Sequence, residues 1–152
     1  LSKYRRENSI EFEERSPIAS CPSIDFDKQS MLGFVDGQWS GGTQLLCIGG
    51  KPGDSVEFEF NQLEDCPYQL VVYATKAPDY GIVSFSVNGQ DTHIKWDGYD
   101  TKVTLSDPIS LGCYSPVRGA LTLKISLSGA NPKAVEEKNL FGLDAIQLMK
   151  KQ

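Results

Sequence analysis

The chain has 152 residues, 39% hydrophobic and 23% charged, an ordinary globular balance for one domain with a core of its own. Twenty acidic against 15 basic side chains leave a net charge of -5, which disfavours a phosphate backbone or an anionic membrane surface as partner. No apolar run approaches the roughly 20 residues that a bilayer span needs.

Leu1 opens the chain, which implies processing or excision from a longer protein. Lys3, Arg5 and Arg6 are not followed by the apolar stretch of a signal peptide. Residues 1–9 read as a linker or tail remnant and residues 10–152 as the domain. Ile10 to Glu14 alternates apolar and acidic, the pattern of a half-buried strand. Thr43 to Ile48 is an apolar strand, and Lys51-Pro52-Gly53-Asp54 a turn. Ser55 to Phe60 alternates strictly, with Val56, Phe58 and Phe60 inward and Glu57 and Glu59 outward.

Tyr68 to Thr75 is rich in Val and Tyr and reads as strand. Ala77 to Gly81 breaks it and Ile82 to Val87 resumes. Asn88-Gly89 then turns the chain back into Thr92 to Trp96. Lys102 to Leu105, Ile109 to Leu111, Ala120 to Leu127 and Gly142 to Met149 complete about ten short strands. Only Pro132 to Lys138 suggests a helical turn. The expected fold is all-β: an antiparallel β-sandwich of the jelly-roll type.

Cys21, Cys47, Cys66 and Cys113 lack C-x-x-C spacing, which argues against structural zinc. They allow two disulfides or four free thiols, and the sequence does not choose. Tests for catalysis are mostly negative. The single histidine, His93, lies on a strand and reads as an exposed strand residue. There is no G-x-S-x-G, P-loop or dinucleotide fingerprint. A hydrolase using paired surface carboxylates would need a cleft between them, whereas most acidic residues here alternate outward on strands.

Several aromatics fall in loops instead. Trp39 is flanked by glycines that would leave its ring exposed, Tyr80 follows Asp79, and Trp96 and Tyr99 bracket Asp97-Gly98. An aromatic face stacks on the C–H face of a sugar, while Asp79, Asp97, Asp100, Asn131 and Asn139 suit its hydroxyls. The same rings could instead plug the ends of a sandwich. Glu11 and Glu13 share one side of a strand by period-two alternation. If the first and last strands are neighbours, Asp144 joins them. Such a trio is either an outward acidic face or an oxygen site for calcium.

The order of these segments resembles a known family. It runs Ile10-Glu11-Phe12-Glu13, Gly41-Gly42-Thr43-Gln44-Leu45-Leu46, Gly53-Asp54-Ser55-Val56-Glu57-Phe58, Tyr68 to Tyr73, and Val83 to Gly89. It ends with Leu121 to Ile125, Gly129-Ala130-Asn131-Pro132 and Phe141 to Leu148. The chain from Ile10 to Leu148 is similar to galactose-binding-domain-like jelly rolls, especially carbohydrate-binding module families six and thirty-five. It also resembles accessory domains of bacterial polysaccharide-degrading proteins. The opening Glu-x-Glu and the closing Leu-Asp-x-Ile-x-Leu are its most specific parts.

The resemblance implies a structural calcium held by Glu11, Glu13 and Asp144. It implies a sugar site on loops at one end of the sandwich, using Trp39, Trp96 or Tyr99, and Asn139. Asp79 and Tyr80 lie in a stretch that departs from the family pattern, as does Ala130 to Asn139. The expected function is non-catalytic binding of a polysaccharide or oligosaccharide, beside a catalytic domain of the same parent chain. That parent would be a sugar-active bacterial protein such as a glycoside hydrolase, extracellular or periplasmic. The rival is a structural sandwich that packs on a catalytic domain or mediates protein contacts without binding sugar.

Overall fold

The computed structural model describes residues 4–135 and 138–151. Among the described residues, twelve strands form two antiparallel sheets and no α-helix occurs. The larger sheet runs β10 (Ile109–Tyr114), β6 (Tyr68–Lys76), β12 (Phe141–Lys150), β4 (Thr43–Ile48) and β3 (Asp25–Ser30). The short β1 (Ser9–Glu11) adds to β12, and β9 (Thr104–Leu105) to β6. The smaller sheet runs β2 (Ala19–Ser20), β5 (Ser55–Phe60), β11 (Leu121–Gly129), β7 (Ile82–Val87) and β8 (Gln90–Asp97).

Alternation builds the core. Val56, Phe58 and Phe60 face Leu121, Leu123 and Ile125 across the β5–β11 register, and all six are buried. Leu70, Val72, Leu143 and Ile146 close the core from the other sheet. The hairpin at Asn88-Gly89 forms as expected, with φ of +49° and +77°, the paired positive values of a type I′ turn.

Three expectations change. The opening strand stops at Glu11, and Phe12–Glu14 form a 3₁₀ turn. Phe12 and Glu13 are both buried, which strand alternation forbids and a tight turn allows. The strands β2 and β3 had no sequence signal, because Asp25, Asp27 and Lys28 make β3 a polar edge strand. The segment from Tyr4 to Arg6 lies against the sandwich, where the Gly41 amide donates to the Tyr4 carbonyl and the Arg6 amide to Ser40 Oγ. Ala134 N–H bonds the Asn131 carbonyl as a turn; the rest of the expected helical turn includes residues 136–137, outside the described residues. All four cysteines are free thiols, Cys47 within the core.

Candidate functional site

The loops that carry the expected sugar-binding residues meet at one end of the sandwich. The Ala77 amide donates to the Gly98 carbonyl, Gly98 to Gly81, and Gly81 to Leu140. Isolated bridges join Ala77 to Tyr99 and Tyr80 to Leu140. Asp79, Tyr80, Trp96, Tyr99 and Asn139 therefore share one loop cluster. Asp97 fixes its shape, with one oxygen accepting from the Tyr99 amide at 2.9 Å and the other from Asn131 Nδ2 at 2.7 Å.

Trp39 and Tyr80 are not bare platforms. Trp39 is 3% exposed and Tyr80 6%. The indole Nε1 donates to Thr75 Oγ1 at 2.8 Å, Thr75 donates to Gln44 Oε1, and Gln44 Nε2 donates to the Tyr80 hydroxyl at 3.0 Å and to Gln29 Oε1 at 2.8 Å. The polar tip of each ring is satisfied only inside, so each sinks to its partner. Burial also pushes the Tyr80 hydroxyl up to about 12. Trp39 is a plug, and its glycine flanks admit the ring rather than bare it.

Above this network lies a hollow of about 190 Å³, with Phe34, Asp79, Gln29 and Val103 in its walls and Tyr80 beneath. Phe34 is 37% exposed and stands 6.3 Å from the Trp39 ring, tilted at 58°. Sequence reading missed Phe34, because Leu32-Gly33-Phe34-Val35 carries no periodic signal. It also missed Gln44 and Thr75, polar residues at strand positions read as apolar. Trp96, Tyr99 and Asn139 are half-buried in the cluster but do not line this hollow. The Trp96 ring packs on the core, with Lys76 Nζ 5.9 Å from its centroid.

The acidic trio lies elsewhere, at a junction on β12. The strand pairs with β4 as far as Leu143 and with β1 from Ala145. Asp144 sits where the register with β6 shifts, between the two partners. The first and last strands adjoin, which was the condition for Asp144 to join Glu11 and Glu13. Ser40 N–H donates to Asp144 Oδ1 at 3.1 Å, and Ser40 Oγ donates to Glu11 Oε2 at 2.8 Å. Thr43 Oγ1 donates to Glu13 Oε2 at 2.8 Å, while Glu13 Oε1 is buried without a hydrogen-bond partner among the described residues. Glu11, Glu13 and Asp144 are 6%, 5% and 0% exposed, so the outward acidic face is excluded.

Burial, and to a smaller extent the neighbouring Glu11, pushes Glu13 up to about 8. Asp144 rises to about 7, again chiefly through burial, although Arg6 opposes the shift. Carboxyls raised this far are not fully balanced by the nearby arginines. The orphaned Glu13 oxygen and the all-oxygen donor set fit a hard cation such as calcium. Arg5 already stands 3.2 Å from Glu11 Oε2, and among the described residues no three acidic, histidine or cysteine side chains close into a finished cage.

No family model and no curated protein matches the sequence. Solved structures do. A Paenibacillus xanthan lyase matches 99% of this chain with a TM-score of 0.79 and 22% identity, over 14% of its own length. A Podospora anserina GH26-CBM35 β-(1,4)-mannanase matches 97% at a TM-score of 0.59 and 16% identity, over 28% of its length. A β-1,3-glucan binding CBM6 from Bacillus halodurans matches 96% at a TM-score of 0.56 and 10% identity, over 98% of its length. The chain therefore spans a minor part of the two enzymes and nearly the whole of the CBM6 chain. Its fold is the jelly-roll β-sandwich that these solved structures share.

Proposed function

We propose that the domain binds carbohydrate without catalysing a reaction, as an accessory domain of a larger, secreted, sugar-active bacterial protein. The observation that carries this reading is the loop-end hollow, on a fold shared end to end with a glucan-binding module. Phe34 offers the aromatic face for a sugar ring, and Asp79 and Gln29 the polar partners for its hydroxyls. Trp96 and Tyr99 extend the surface along the chain of a longer glycan. Calcium held by Glu11, Glu13 and Asp144 would neutralise the buried junction, far in chemistry from the sugar.

The test is a panel of soluble neutral polysaccharides and their oligosaccharides, titrated with and without chelator. The expected result is binding of at least one glycan, weakened about tenfold (~1.4 kcal/mol) in Phe34→Ala and in Trp96→Ala, with Tm nearly unchanged in Phe34→Ala. Binding that survives both substitutions overturns the site. A second reading, a purely structural module, is favoured by Leu32 and Val35, which are 55% and 90% exposed beside Phe34. It predicts no glycan binding at all and co-purification with a catalytic domain.

A further inference from the structure

Two adjacent arginines, Arg5 and Arg6, bring positive charge to the acidic junction. Their backbone is fastened to the tight turn Ser40–Gly42. The Gly41 amide donates to the Tyr4 carbonyl at 2.8 Å, and the Arg6 amide to Ser40 Oγ at 3.0 Å. Ser9 Oγ holds the segment from its other end by donating to the Arg6 carbonyl at 2.7 Å. The two side chains then part. Arg6 settles over the Tyr73 ring, 3.6 Å from its centroid, whereas Arg5 turns to Glu11 and places Nε 3.2 Å from Oε2.

Gly41 makes room for that guanidinium. Its φ of +68° favours glycine, and the space a side chain would need is taken. A Cβ there would overlap Arg5 Nη1 and stand 3.1 Å from Arg5 Cζ and 2.8 Å from Glu11 Oε1. The planar group therefore packs on bare backbone. Glu11 Oε2 also accepts from Ser40 Oγ at 2.8 Å, and the Ser40 amide donates to Asp144. Arg5 thus shares its anchor with the residues that would hold calcium. The contact fits in shape but is open to water on one side: the Arg5 side chain is 57% exposed, against 6% for Glu11.

A guanidinium keeps its charge throughout the working pH range, so Arg5 cannot yield its place by losing a proton. Calcium takes carboxylate oxygens at about 2.3–2.6 Å. With Arg5 still beside the same oxygen, two cationic groups would stand within roughly 6 Å of each other, where partial burial makes their repulsion severalfold stronger than in water. Only one of them can stay at Glu11. Arg5 has a way out, because its long stem borders solvent and can swing outward while the backbone of Tyr4 and Arg6 remains fastened.

We propose that Arg5 is the junction's own counter-cation, and that a divalent cation binds at Glu11 only by turning it out. The inference rests on the calcium set proposed for Glu11, Glu13 and Asp144, and adds to it a competitor built into the chain. Coupling of this kind is reciprocal: Arg5 stabilises the calcium-free fold by the free energy by which it weakens calcium binding. The arginine thereby keeps the first strand and the turn at Gly41 together when calcium is scarce, and sets the concentration at which the metal takes over.

The experiment titrates calcium chloride into the intact chain and into Arg5→Gln by calorimetry. Potassium chloride at about 0.5 M screens mere long-range repulsion. The Nε–H resonance of Arg5 is followed in the wild type by nuclear magnetic resonance. Arg5 is exposed, so the variant keeps its fold. The expected result is calcium binding about tenfold tighter in Arg5→Gln than in the wild type. The variant should melt below the wild type in chelator and level with it in saturating calcium. Calcium should also move the Arg5 Nε–H signal to the position of a free guanidinium, a change that a charge acting at a distance would not produce. Binding by Arg5→Gln alone is the same result at its limit. Equal affinity in the two proteins, or an Arg5 signal that calcium leaves in place, overturns the competition and leaves the calcium set standing. Absence of calcium binding by both proteins overturns the calcium set and the competition together.

Discussion

The orphaned Oε1 of Glu13 sets the chemistry of the acidic junction. A carboxyl whose folded pKa is raised holds its proton more tightly in the native state than in the unfolded one. It therefore stabilises the fold at low pH, and that contribution is lost as pH rises through the folded value. For Glu13 the window runs from its ordinary 4.5 to about 8, and for Asp144 from 3.8 to about 7. Without metal, Tm should fall across this window. Calcium, replacing the protons, should raise Tm far more at its upper end than at its lower. Glu13→Gln keeps the shape and removes the charge. It should flatten the apo profile, stabilise the apo protein by about 1 kcal/mol at the upper end, and blunt the calcium response. Thermal melts of both proteins, with calcium and with chelator, check this; a flat, calcium-insensitive wild-type profile would mean that Arg5 alone balances the junction. Glu11, Glu13 and Asp144 were visible in the sequence as residue types. Their convergence was legible through the resemblance, and otherwise only on condition that the first and last strands adjoin, because it depends on a tight turn at Phe12 and a register shift at Asp144, neither of which leaves a local pattern.

β12 is the element on which the candidate sites depend. It pairs with β6 along most of its length, and its other edge passes from β4 to β1. Gly142 lets β12 run beside the buried network under the loop-end hollow. A Cβ there would overlap Gln44 Oε1 and stand 2.7 Å from Cδ. Gln44 is fully buried and fixed by Thr75, Tyr80 and Gln29, so its amide cannot swing aside. Gly142→Ala should cost about 1–3 kcal/mol through overpacking, read from urea unfolding, and should weaken glycan binding by tilting Tyr80. A Gly142→Ala protein as stable as wild type would show the amide network to be loosely held. The strand itself was legible from its apolar run. The need for glycine within it was not, since it arises from a side chain about a hundred residues earlier.

At the scale of the whole molecule, the chain closes on itself. β1 pairs with β12 from Ser9↔Gln147 to Glu11↔Ala145, and Arg6 lies 3.6 Å from the centroid of the Tyr73 ring. Removing residues 1–11 would bare the β12 edge and delete Ile10, Glu11 with its partner Arg5, and the Arg6 that faces Tyr73 and Asp144. A Tm lower by roughly 10 °C, with loss of the calcium response, is the expected outcome of scanning calorimetry; an unchanged Tm would make the segment a detached tail. The sandwich was readable because most of its strands alternate cleanly over Gly and Pro turns. Which ring stands in solvent was not readable. Trp39 sinks as a plug and Phe34, which the sequence did not single out, stands in solvent, because the indole finds Thr75 inside and the phenyl ring needs no polar partner.

The outermost strands carry a further consequence. β2 offers only two residues, and β3 presents Asp25, Asp27 and Lys28 along its length. β8 is bent by the left-handed His93, and β10 by Gly112 at φ +100°, where its register also breaks. Among the described residues, an incoming polypeptide meets a short, charged or bent edge on each flank of either layer. Copies of this domain can thus sit side by side at high concentration without templating one another into fibrils.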